Sequence, residues 1–107
     1  MATSKRDRAL LAEITGVARR LTRARPLTGA EQQEAAAALS QVALGRADLL
    51  AESAGLAIGA HEGGPEEARH LQAAQLCIDA GADLTLIPQW VEEGRRRAGA
   101  APSPLRG

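Results

Sequence analysis

Residues 28–60 read TGAEQQEAAAALSQVALGRADLLAESAGLAIGA, and this stretch decides the fold class. Thr28 followed three residues on by Glu31 is a capping-box pattern, in which hydroxyl and carboxylate each satisfy a backbone N–H at a helix start. Behind it, Ala35, Leu39, Val42, Leu49, Leu50, Leu56 and Ala57 share one arc at the helical period, and Glu34, Gln41, Asp48 and Glu52 share the other. Alanine loses no side-chain entropy in a helix, and nothing here alternates as a strand would. The stretch reads as one long helix to Ala60, with Gly45 as the position where it would bend or split.

Two features of this helix point outward to a partner. Arg46 falls in the apolar arc, near the angle of Leu39, Leu50 and Ala57. A guanidinium there must reach water, find a carboxylate, face a second subunit, or mark a change of phase at Gly45. Gly55 and Gly59, four residues apart, clear one stripe of side chains for a close helix crossing; the duller reading is weakened final turns.

The rest of the chain extends the same pattern. A first helix is expected from Ser4 to Ala24, with Leu10, Ile14, Val17, Ala18 and Leu21 inward and Arg8, Arg19 and Arg23 opposite. Arg25-Pro26 ends it, because the residue before proline is pushed out of helical geometry. A third helix is expected from Pro65, with Glu66 and Glu67 in its first turn and Gly81 as its C-terminal cap. Its two apolar stripes (Ala68, Leu71, Ala74, Ile78, Ala82 and Ala73, Leu76, Ala80) predict neighbours on two sides. A fourth helix follows Asp83, beginning properly at Ile87-Pro88, with Leu84, Ile87, Val91 and Ala98 inward. Glu92 with Arg96, and Glu93 with Arg97, are spaced as intrahelical pairs. The expected architecture is all-α, a compact antiparallel bundle of four helices, or five if the second splits near Gly45. Residues 1–98 form one domain and 99–107 (GAAPSPLRG) a disordered tail.

Composition narrows the function classes. Of 107 residues, 24 are Ala and 14 Leu, with one Trp, one Cys, one Met and neither Phe nor Tyr. No run approaches the roughly 18 apolar residues of a membrane span. The opening MATSKRDRAL lacks the apolar core of a secretory signal, and one cysteine builds no internal disulfide framework. A reducing cytoplasm is the expected compartment. Thirteen basic and thirteen acidic side chains cancel, yet they are segregated: the balance is +5 over residues 1–27, −9 over 28–94 and +4 over 95–107. Arg8, Arg19 and Arg23, with Arg95 and its neighbours Arg96 and Arg97, could follow a phosphate backbone. The alternative is a solvated face, or one packed against the chain's own acidic middle. No aromatic residue is interleaved for base stacking.

Reactive chemistry has thin support. Glu67-x-x-His70, with His61, Glu62 and Glu66 close by, has the spacing used in carboxylate-bridged metal bundles, but the second such unit is missing. Carboxylates at a helix start are explained by the helix dipole. Cys77 sits mid-helix among Ala73, Leu76 and Ala80, where a thiol acts as a small hydrophobe. Gly59, Gly63 and Gly64 lack the lysine of a phosphate loop. No catalytic residue, metal ligand or cofactor is assigned. The sequence therefore predicts a small, non-enzymatic helical interaction or regulatory module, off the membrane and self-associating as a homodimer or binding a protein partner through Arg46, Gly55, Gly59 and Trp90. Trp90, the one large aromatic, is a core anchor or a partner contact. The alternatives are a nucleic-acid-associated protein using the basic first helix and the 95–97 run, and a metal-binding bundle.

Overall fold

The computed structural model describes residues 4–100, and they form five α-helices: α1 (Lys5–Arg23), α2 (Gly29–Ala43), α3 (Ala47–Ala60), α4 (Glu67–Asp79) and α5 (Ile87–Ala100). A single 3₁₀ turn, Leu84–Leu86, precedes α5, and no strand occurs among the described residues. Gly99 and Ala100 close α5, while the remainder of the segment expected to be disordered, 101–107, lies outside the described residues.

Most helix ends have a local cause. The Ser4 hydroxyl accepts from the Asp7 N–H at 3.0 Å and starts α1. Both arms of the Thr28–Glu31 capping box are made, at 3.2 and 2.9 Å. Arg25 grips the same Glu31 carboxylate at 2.8 and 2.6 Å, and these bonds hold its pKa down at about 2. Leu44 (φ 56°) and Gly45 (φ 76°) then take left-handed conformations, so residues 28–60 are two helices with a reset of phase at Arg46. The chain at Glu66 (φ −114°, ψ 23°) is still non-helical, which delays α4 to Glu67 and leaves Pro65 in the preceding turn. At the other end of α4, Gly81 (φ 116°) follows the cap residue, and the N–H groups of Gly81 and Ala82 return to the Ile78 and Cys77 carbonyls. This is the Schellman arrangement expected of a glycine just past a helix. The Asp83 carboxylate accepts from the Thr85 N–H, and the Asp83 N–H donates to the Ala47 carbonyl at 3.1 Å, pinning this link to the start of α3.

The core is mostly alanine. Its largest fully buried side chains are Ile14, Leu39, Leu50, Leu76 and Cys77. With so little bulk between them, helices must approach closely to exclude water. Helix α3 does so most completely: Leu49, Leu50, Ala51, Ser53, Ala54, Gly55 and Gly59 are all buried, under α1, α4 and α5. Helix α4 in turn meets α3, α1 and α2.

The tightest pairing joins α3 to α5. A side chain at Gly55 would strike the Cβ of Trp90 and stand 2.9 Å from the Ile87 carbonyl oxygen; one at Gly59 would strike the Val91 carbonyl. From the other side, a Cβ on Gly94 would lie 2.7 Å from the Leu56 carbonyl oxygen and 3.1 Å from the Gly59 Cα. Gly55 thus lies opposite Ile87–Trp90 and Gly59 opposite Val91–Arg95, so α3 and α5 run in the same direction. They are parallel neighbours, so the tightest pairing is not one of the antiparallel contacts expected of the bundle.

Several expected inward residues lie outside. Leu21 is exposed while Thr22 is buried, its hydroxyl donating to the Ala18 carbonyl at 2.9 Å and so needing no outside partner. Leu71 (43 % exposed) and Ala68 lie on the outer side of α4. Leu84 (62 % exposed) belongs to the 3₁₀ turn rather than to α5. Ala98 overhangs, because α3 ends at Ala60, opposite Gly94.

Candidate functional site

The residues singled out from the sequence separate into groups already occupied within the chain and groups left open. Arg46 is occupied. It bonds Asp7 at 2.8 and 3.1 Å and Asp48 at 3.1 and 3.0 Å, and these carboxylates raise its pKa further above the usual arginine value. Of the readings open to Arg46, the structure shows the carboxylate partner and the change of phase. Gly55 and Gly59 are likewise covered by α5 of the same chain, so the cleared stripe receives a helix rather than a second copy. Trp90 is half-buried, its Cβ seated on Gly55.

Arg95 is also engaged, holding Glu62 at 2.7 and 2.8 Å and Glu92 at 3.0 Å. Glu92 therefore pairs one residue earlier than expected, while Glu93 takes both Arg96 and Arg97. These contacts hold the Glu62 and Glu93 carboxyls below the usual range. Each arginine of the 95–97 run thus has a carboxylate partner, Glu93 being shared between two of them.

The cations of α1 differ. Lys5, Arg6, Arg8, Arg19, Arg20 and Arg23 are all exposed, and none makes an ion pair among the described residues. Every described arginine elsewhere (Arg25, Arg46, Arg69, Arg95, Arg96, Arg97) is paired. At about 3.6 residues per turn, Lys5 and Arg23 are five turns apart and Arg8 and Arg19 about three, so these four leave α1 from one side. Between them lie Ala9, Ala12 and Gly16, which raise no obstacle, and the acidic Glu13 stands off to the flank.

A second feature was not foreseen. The ends of α3 and α4 enclose, with α1 and α5, a cleft of about 220 Å³. Its polar lining is Thr15, Arg19, Ser53, His61, His70 and Arg97; its walls are Leu56, Gly94 and alanines. The Thr15 and Ser53 hydroxyls bond each other at 2.8 Å. The His61 and His70 rings stack face to face, centroids 3.4 Å apart and planes 3° from parallel. Burial, aided by His61, Arg69 and Arg19, pushes the His70 pKa down, with Glu66 opposing. Sequence periodicity could have placed Thr15 and Arg19 on one flank of α1, but nothing in the sequence says which helix faces that flank.

The one thiol is not activated. Burial raises the Cys77 thiol to about 11, against a weaker opposing bond from Ser53, so it stays protonated at neutral pH. Glu66 is drawn to Arg69 rather than to the imidazoles. Among the described residues, no three His, Cys, Asp or Glu side chains gather as a metal-binding group, and no helix is long and apolar enough to cross a membrane. In comparisons with protein families, curated proteins and solved structures, the chain matched none.

Proposed function

We propose that this chain is a non-enzymatic helical module that binds the phosphate backbone of nucleic acid through the exposed side of α1. One observation carries the reading: all six cations of α1 are without an ion pair among the described residues, while every other described arginine has one. A solvated face is the ordinary fate of scattered surface charge. Here the uncommitted charge is concentrated on one helix, and the four aligned cations span 18 residues, or about 27 Å at 1.5 Å per residue. That length follows a phosphate strand over several nucleotides, where phosphates recur every 3.4 Å or so. The lack of an aromatic side chain on this face favours backbone contact without base reading. The cytoplasm is the compartment that fits this reading. The other four helices serve as the rigid support, in a bundle whose successive helices we read as antiparallel. The protein-partner and homodimer reading has Gly55 and Gly59 under α5 and Arg46 engaged by two carboxylates, and it rests chiefly on Trp90.

The test is binding to a labelled duplex across a salt series. Four phosphate contacts give a log–log slope of about −3 to −4, and Arg8→Gln with Arg23→Gln flattens it by roughly 2. Absence of binding at low salt overturns the proposal. Equal affinity for polyglutamate assigns the face to an acidic protein instead, and salt-independent self-association in the ultracentrifuge returns the surface to a second copy.

A further inference from the structure

We propose that the cleft between α1, α3, α4 and α5 binds a small organic anion, its oxyanion held by Arg19 and Arg97 and its apolar body resting on the alanine wall. The polar lining is donor-rich: two guanidinium groups, two imidazoles and two hydroxyls, with no carboxylate among the lining residues. In a chain with as many acidic as basic side chains, that selection is not what composition alone gives. Arg19 makes no ion pair among the described residues. Arg97 is bonded to Glu93 only through Nε, at 2.7 Å, which leaves both terminal nitrogens free to form the two-pronged grip that suits carboxylate or phosphate.

The size fits a modest ligand. A dry cavity of about 150 Å³ takes benzene, so one of about 220 Å³ takes a ring-sized body with a single charged group. The stacked His61–His70 pair lines the same space as the arginines. The charged groups facing His70 are His61, Arg69 and Arg19, which disfavour its protonation, and Glu66, which favours it. An anion seated beside it reverses that balance, so binding takes up a proton and tightens as pH falls through the histidine range. Nearby carboxylates sit behind the site: Glu93 on the Arg97 Nε, and half-buried Glu52, which feels the Arg97 charge.

The experiment is an NMR titration of the intact chain with benzoate, phenyl phosphate and uncharged benzyl alcohol, following the His61 and His70 imidazoles. The expected result is saturable shifts of both rings with either anion and none with benzyl alcohol, and a rise in the His70 pKa on saturation. Preference between benzoate and phenyl phosphate tells whether the natural ligand carries a carboxylate or a phosphate. Arg19→Gln with Arg97→Gln changes exposed side chains and leaves the fold intact; it weakens binding about tenfold or more, the effect of losing a charge-assisted hydrogen bond. Equal binding of benzyl alcohol, or an unweakened double variant, reduces the cleft to an apolar void and overturns the proposal. So does silence of both rings up to about 10 mM probe, which is weaker than roughly 3 kcal/mol of binding. Since the probes contain no nucleic acid, and the duplex test uses Arg8 and Arg23, the two proposals fail independently.

Discussion

Both terminal nitrogens of Arg46 hold Asp7, at 2.8 and 3.1 Å, across thirty-nine residues of chain. The same guanidinium takes Asp48, so one cation joins the first turn of α1 to the first turn of α3. Both carboxylates also stand near helix N-termini, where the dipole favours negative charge. An arginine that looks misplaced on a continuous helix is well placed once the helix breaks.

This grip has an acid signature. Arg46 holds the Asp7 and Asp48 carboxyls below their ordinary value of 3.8. With the folded pKa depressed, the unfolded chain binds more protons in the window just below 3.8, and stability falls as pH drops through it. Asp7→Asn should lower the melting temperature at pH 7 and flatten the decline below 3.8. Thermal melts from acid to neutral pH check this; identical curves would place the pair among exposed ion pairs that contribute nothing measurable.

Cys77 gives the opposite sign. Its folded pKa is about 11 against a usual 9.0, so between those values the unfolded thiol loses a proton that the folded one keeps. Stability therefore declines as pH rises through that window, by about 2–3 kcal/mol in full. Cys77→Ala should remove most of this alkaline loss, read from urea midpoints at pH 8 and above.

Glycine substitutions should divide by location. Gly16 has nothing within 4 Å of a would-be Cβ, and Gly16→Ala should stabilise by about 0.5–1 kcal/mol through helix propensity. Gly59→Ala and Gly94→Ala meet backbone atoms of the facing helix and should cost about 2–3 kcal/mol or more. Urea unfolding with an unchanged m-value separates them.

Leu44 is 76 % exposed in a left-handed conformation that leucine disfavours. Leu44→Gly should stabilise by roughly 0.5–1 kcal/mol, measured as a higher urea midpoint. Gly45→Ala, at φ 76°, should do the reverse.

Local signals carried the fold a long way. The Thr28–Glu31 box, the Gly81 cap, the Asp83 link and the start of α5 at Ile87 are all readable because their causes lie within a few residues. The break at Leu44–Gly45 was readable only as an option, since a glycine permits a left-handed turn without requiring it, and the adjoining leucine gives no hint. The stripe at Gly55 and Gly59 announced a close crossing but not its partner, which lies thirty-odd residues on at Gly94. The cleft was least legible. Its polar lining comes from four helices, and His61 and His70, noted in the chain only for a metal-like spacing and given no role, meet each other across the α3–α4 turn.

The bare contact of α3 with α5 also limits how this molecule can move. Helices separated by long side chains can slide by a fraction of a turn as rotamers adjust. Here the Val91 carbonyl sits against the Gly59 position and Gly94 against the Leu56 carbonyl, so a slip that brings a neighbouring Cβ to either place drives it into the facing main chain. Shear along that seam is closed to the protein. A response of the last helix must lift it off whole, breaking the Arg95 clasp on Glu62.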